Sequence, residues 1–186
     1  MNVNSKRAEQ ARVLRIVRKV HRALGASLFL LFLVISITGL LLGWKKNSEW
    51  IQAETATGSS GELSNWLPMD SLYKQACRYL QDSVYAGLSV KLDKIDLRAD
   101  KGVAKFIFSD HFWGIQVDGA TGQLLKIEQR RSDFIEKIHD GSIVDMKLLN
   151  GGDLFKLIFT SVSGLALLGF TITGFWLWYG PKRMRR

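Results

Sequence analysis

Three histidines and one cysteine are the side chains of this sequence best suited to hold a metal or a redox group. His21 stands just before a long apolar run and His139 precedes a second one, while His111 falls beside Phe112 and Trp113 and reads as a surface loop residue. Imidazole is the common axial ligand of haem iron, and a bundle of apolar helices offers a dry place for the macrocycle. The plainer reading is a histidine at a helix end with no ligand at all. Two axial nitrogens on one iron lie about 4 Å apart, twice a metal–imidazole bond. If the apolar runs cross a bilayer, His21 and His139 sit on opposite faces of a layer roughly 30 Å thick and cannot share an iron. One chain then offers one imidazole per side, so a bis-histidine site needs a second copy or a different second ligand. Cys77 has no partner for an internal disulfide, and no Cys-x-x-Cys-His occurs for c-type haem attachment. It reads as a small buried apolar residue on a helix.

Two stretches must position these histidines. Ala23–Trp44 holds 22 residues without a charge, and at 1.5 Å per residue a helix of about 33 Å crosses a hydrocarbon core. Its apolar run exceeds the roughly 7 to 15 residues of a signal peptide, and no convincing small-x-small site follows, so it reads as a retained anchor. Leu154–Tyr179 is interrupted only by Lys156, a side chain long enough to snorkel to the interface. The two stretches share a phrase: Ile37, Thr38, Gly39 and Leu42 recur as Ile172, Thr173, Gly174 and Leu177 at a constant offset of 135. Threonine bonding back to its own helix and glycine admitting a neighbouring helix explain the phrase as packing. Alternatively, Gly39 and Gly174 open space for a flat ligand, one near the outer face and one near the inner.

The formal net charge of +9 points to nucleic acid only until it is divided along the chain. Residues 1–44 carry seven Lys and Arg against one acid, residues 45–153 carry 14 against 16, and residues 154–186 carry five against none. The excess is at the ends. Arg12, Arg15, Arg18, Lys19 and Arg22 before the first run, and Lys182, Arg183, Arg185 and Arg186 after the second, place both termini in the cytoplasm by the positive-inside rule. The middle of the chain then faces the periplasm of a bacterial inner membrane, and the expected partner is the lipid bilayer, not nucleic acid. Within residues 5–22, Val13, Val17, Val20 and Leu24 recur at helical spacing among arginines, a stripe suited to lying on or leading into an anionic surface.

Beyond Trp44 a polar, Gly/Ser-rich stretch reads as a linker. Asp70 can cap a helix ending near Ser83, with Leu72, Ala76, Tyr79 and Leu80 on one face. Four alternating runs follow, SVKLDKIDLR, VAKFIFSD, FWGIQVD and QLLKIEQ, with breaks short enough for an antiparallel meander. Ser132–His139 reads as a closing helix, and SIVDMKLLNGG returns the chain to the membrane. The middle is therefore α+β, a helix on one face of about four strands. Asp118-Gly-Ala-Thr-Gly122 superficially resembles a site of covalent flavin on threonine but lacks the preceding Ser-Gly, and a strand-joining turn explains it. Nothing in the order of residues suggests a phosphate-cradling loop or a hydrolytic triad.

Taken together, His21-x-x-x-Gly25, Thr38-Gly39 with Trp44, the central αβ region with Asp118–Gly122, Ile138-His139-Asp-Gly141 and Thr173-Gly174-Phe-Trp-Leu-Trp178 resemble the PepSY-associated transmembrane helix family. The resemblance implies a membrane α-helical protein of two antiparallel transmembrane helices with an extracytoplasmic α+β PepSY-like domain. The segments are 1–22 (basic, amphipathic), 23–44 (first span), 45–68 (linker), 69–153 (outer domain), 154–179 (second span) and 180–186 (basic tail). Larger relatives with four or more spans include ferric-siderophore reductases that bind b-type haem through membrane histidines. Carried over by motif, His21 and His139 are ligands to haem b iron, with Gly39 and Gly174 making room for the rings. The implied protein is a homodimer or a subunit of a larger complex that passes electrons to a ferric chelate or an extracytoplasmic redox partner. The alternative is a non-catalytic anchored module that binds or regulates a partner protein or protease.

Overall fold

The computed structural model describes residues 3–149 and 152–185. Asn150, Gly151 and Arg186, which the sequence reading places in the return segment and the basic tail, lie outside the described residues. The elements in order are α1 (Val3–Gly43), α2 (Met69–Ser83), β1 (Leu92–Arg98), β2 (Val103–Phe108), β3 (Trp113–Asp118), β4 (Leu124–Gln129), α3 (Arg131–His139), α4 (Ser142–Leu148) and α5 (Leu154–Arg185). They form two compact units, Met1–Gly39 with His139–Arg186, and Leu40–Ile138.

In the first unit, α1 and α5 are long, apolar and almost wholly unburied over their most hydrophobic stretch. A helix that is apolar all round belongs in a core or in lipid. Phe29, Leu30, Leu165 and Ile172 are all exposed, so this chain does not itself supply that surrounding. The helices run antiparallel: Leu14 meets Gly180, Gly25 meets Phe170, and His21 meets Thr173. Their backbones seldom approach within 8 Å, and side chains bridge the gap. Gly180 has no Cβ to block Leu14, whose branched end fills that space. This shifts the inward face of α1 to Leu14, Val17, His21 and Leu24, whereas Val13 and Val20 of the stripe read from the sequence are exposed.

The start of α5 is capped from a different helix. Asp145 of α4 is 2% exposed, and its carboxylate accepts the backbone N–H groups of Phe155 (2.9 Å) and Lys156 (2.8 Å). It satisfies two of the four donors a helix start leaves open and sets a negative charge at the positive end of the dipole. Lys156, expected to snorkel, forms an ion pair with Asp140 at 2.9 Å.

The second unit is a four-stranded antiparallel meander in the order β1-β2-β3-β4 with α2 on one face. Leu72, Ala76 and Leu80, at helical spacing, close over Ala104, Phe106, Phe108, Ile115 and Val117, at strand spacing. Full burial of each leucine contributes about 1.5–3 kcal/mol. Pro68, not Asp70, precedes the first turn of α2; Asp70 lies within that turn and pairs with Lys74 at 2.7 Å. The opposite face carries Lys105, Gln116 and Glu128, and the polar stretch after Trp44 is strapped across it. Gln116 accepts the Ala56 N–H and donates to the Glu54 carbonyl and to Glu128.

Asp118 is the main fastening of that strap. Its carboxylate accepts the N–H of Ser59 (2.7 Å), the Ser59 hydroxyl (3.0 Å) and the N–H groups of Ala120 (2.8 Å) and Thr121 (3.0 Å). The turn closes with Gly122 at φ +71°, a left-handed conformation suited to glycine. Burial opposes ionisation of Asp118, but the hydrogen bonds from Thr121, Ser59 and Ala120 outweigh it and hold its pKa below the ordinary carboxylate value. An unfolded aspartate titrates near pH 3.9. The stability this group contributes is therefore present above that pH and is lost as the pH falls through the lower folded value. Thermal unfolding followed by circular dichroism should show a midpoint that falls below about pH 4. Asp118→Asn should lower stability at neutral pH and flatten the acid limb; an unchanged limb would refute the assignment.

Candidate functional site

The two histidines near the apolar helices are held in the same way, each by a threonine-glycine pair on a long helix other than its own. His21 lies on α1, and its Nδ1 is 2.7 Å from the Thr173 hydroxyl of α5. A Cβ placed on Gly174 would stand 3.8 Å from the His21 ring. Phe170 closes the arrangement edge-on to the imidazole at 5.1 Å, and its ring also lies beside Gly25, one turn along α1, where a Cβ would stand 3.8 Å away in ordinary contact.

His139 ends α3, and its Nδ1 is 2.9 Å from the Thr38 hydroxyl of α1. A Cβ on Gly39 would stand 3.4 Å from its ring. The next two residues fix the backbone that presents it. Asp140 accepts the Ser142 N–H (3.0 Å) and hydroxyl (2.7 Å), and Gly141 turns the chain at φ +80°. Burial disfavours the Asp140 carboxylate, yet the bonds from Ser142 and the Lys156 ammonium hold its pKa below the ordinary value.

Thus the structure brings His21 to Gly174 and His139 to Gly39, and keeps the two pairs apart. Thr38 follows His21 by 17 residues of one helix, a rise of about 26 Å. The flat group beside each glycine in this chain is an imidazole. Both rings are half-buried. Among the described residues nothing hydrogen-bonds to Nε2 of either ring, and neither Nε2 is buried. His111 differs: its Nε2 lies 2.9 Å from the Ser89 carbonyl and its Nδ1 accepts the Trp113 N–H, so both nitrogens serve the loop before β3.

Sequence reasoning named the histidines and glycines but missed the crossed threonines, Phe170 and Asp145. The repeated Ile-Thr-Gly phrase was the one available signal. Among the described residues no group of three or more His, Cys, Asp or Glu converges, which leaves single imidazoles as the donor set. That set suits a porphyrin iron, whose four equatorial positions are already filled and which needs only axial nitrogen. Grooves of about 180 Å³ beside Leu14, Trp176 and Gly180, 490 Å³ beside Arg15, Arg22 and Ala26, and 360 Å³ beside Phe175, Trp178 and Lys182 line the two long helices, and none of the three is lined by His21 or His139.

The sequence profile described as the PepSY-associated TM region matches residues 18–186. The chain belongs to this family. No curated protein and no solved structure matches the chain. The match takes in α1 from residue 18 onwards, the sheet and α5, and with two helices long and apolar enough to cross a bilayer it makes the chain a membrane protein.

Proposed function

We propose that this PepSY-associated TM protein binds b-type haem in the bacterial inner membrane and passes electrons across the bilayer. The observation that carries the reading is the pair of clamped imidazoles, one towards each end of the apolar helices, each with Nε2 unengaged. His21 and His139 are the residues that would hold the iron, each with Nε2 free of hydrogen bonds among the described residues, and haem would supply a one-electron carrier at each end. Because one chain offers one imidazole per end, a second copy in a homodimer, or another subunit of a larger complex, would supply the second ligand. The apolar faces of α1 and α5 exclude water from the path between the ends.

The basic residues flanking both spans set the orientation, with both termini cytoplasmic and the sheet domain periplasmic. Trp178, with the Lys182 ammonium 3.8 Å over its ring, suits the inner interface. Electrons then leave on the periplasmic side, to a ferric chelate or a redox protein. The test is the absorption spectrum of protein purified in mild detergent from haem-replete cells, before and after dithionite. A Soret band with a sharpened α-band on reduction supports the reading. Colourless protein overturns it and favours a membrane-anchored module that binds a partner protein or protease.

A further inference from the structure

We infer that Thr38 and Thr173 are positioning residues that select the tautomer of His139 and His21, and so decide which imidazole nitrogen can bind a metal. The inference deepens the haem reading and rests on it for its purpose, although not for its test. The argument is a proton count. A threonine hydroxyl has one proton to donate and two lone pairs to accept with. Thr38 Oγ1 lies 2.7 Å from the Val34 carbonyl one turn back, and Thr173 Oγ1 lies 2.6 Å from the Gly169 carbonyl. Carbonyl oxygens cannot donate, so contacts this short require the hydroxyl proton in each case. That leaves each hydroxyl oxygen only as an acceptor towards the ring.

Nδ1 of His139, 2.9 Å from Thr38, and Nδ1 of His21, 2.7 Å from Thr173, must therefore carry the proton. The lone pair is then on Nε2, the nitrogen that nothing else in the described chain engages. A ring nitrogen that donates to an oxygen acceptor orients the ring and raises the basicity of the other nitrogen, the usual support for a metal-binding histidine. The partners are exchanged between helices: Thr38 of α1 holds the histidine that leads towards α5, and Thr173 of α5 holds the histidine of α1. Each ring is consequently set by a helix other than its own: His21 of α1 by α5, and His139 of α3 by α1.

The test uses the full-length chain, histidine-labelled with nitrogen-15, haem-free, in lipid nanodiscs at pH 8. Both His21 and His139 should show a protonated Nδ1 and a pyridine-like Nε2. Thr38→Val keeps the shape of the side chain and removes the acceptor; it should shift the His139 tautomer ratio roughly fivefold towards Nε2–H, as loss of one net hydrogen bond allows. Thr173→Val should do the same for His21 only. Thr38→Ser and Thr173→Ser, which restore the hydroxyl, should return the wild-type pattern, which a merely space-filling role would not require. A wild-type ring protonated at Nε2, or valine variants with unchanged ratios, overturns the inference. Because the measurement needs no haem, a colourless protein with the expected tautomers would sink the haem reading alone, and a haem protein with the opposite tautomers would sink this inference alone.

Discussion

On the proposed haem reading, replacing His139 with alanine is expected to remove the haem at one end of the long helices and leave the other, cutting the reducible Soret absorbance to roughly half in a dimer with one site per end. His21→Ala should do the same at the opposite end, and the double variant should be colourless. The effect is large because the two histidines lie against Thr173 and Thr38, about 26 Å apart along α1, and among the described residues no group of three or more His, Cys, Asp or Glu converges. It should also exceed that of a support residue such as Thr38, whose loss typically weakens a metal site by about 10–100-fold without deleting a ligand. His111→Ala is the control, since both of its ring nitrogens already serve the Ser89 and Trp113 backbone, and its spectrum should match wild type. Added imidazole should restore part of the lost absorbance, which separates a missing ligand from a collapsed helix pair. Two alanine variants that both keep the whole spectrum would rule out His21 and His139 as ligands.

The long apolar helices and the meander were legible because each is written in local periodicity. The uncharged run of Ala23–Trp44 needs no tertiary partner to be recognised, and the four alternating runs contain the strands β1 to β4, separated by turn residues that chain stiffness alone would demand. Asp118–Gly122 was likewise readable as a turn, since asparagine-like side-chain capping and a left-handed glycine act within a few residues. What local periodicity does not encode is which partner an exposed-looking residue finds far along the chain. His21 and Thr173 are 152 residues apart, and His139 and Thr38 are 101 apart. The strap from Glu54 to Ser60 is a linker by composition and a sheet cover by contact, because Gln116 and Asp118 of β3 offer it buried acceptors. In the stripe of α1, Val17 and Leu24 face inward as read, but Leu14 and His21 take the places given to Val13 and Val20, and Leu14 lies against Gly180 of the distant helix.

Gly141→Ala should destabilise the membrane-helix unit by roughly 2–5 kcal/mol and release His139 from Thr38. Two costs act together. At φ +80° a side chain sits in the left-handed region, worth about 1–2 kcal/mol against any residue with a Cβ. That Cβ would also stand 2.8 Å from Cγ and 3.1 Å from Cβ of Phe159, atoms near the α5 backbone that cannot swing aside as the tip of a flexible chain could. The chain must therefore move, and Gly141 is tied on one side to Asp140, which holds Ser142 and Lys156, and on the other to α4, whose Asp145 caps α5. A shift at this corner pulls on the residue two before it, so the expected signature is a lower unfolding midpoint together with loss of the Nδ1-protonated signal of His139, while that of His21 persists. Gly164→Ala provides the contrast: in the interior of α5 an added methyl meets nothing within 4 Å, and the higher helix propensity of alanine should leave the protein as stable or more so, by up to about 1 kcal/mol. If Gly141→Ala unfolds no earlier than Gly164→Ala and His139 keeps its wild-type signal, the corner does not hold the imidazole, and the Ile138-His139-Asp-Gly141 sequence needs another explanation.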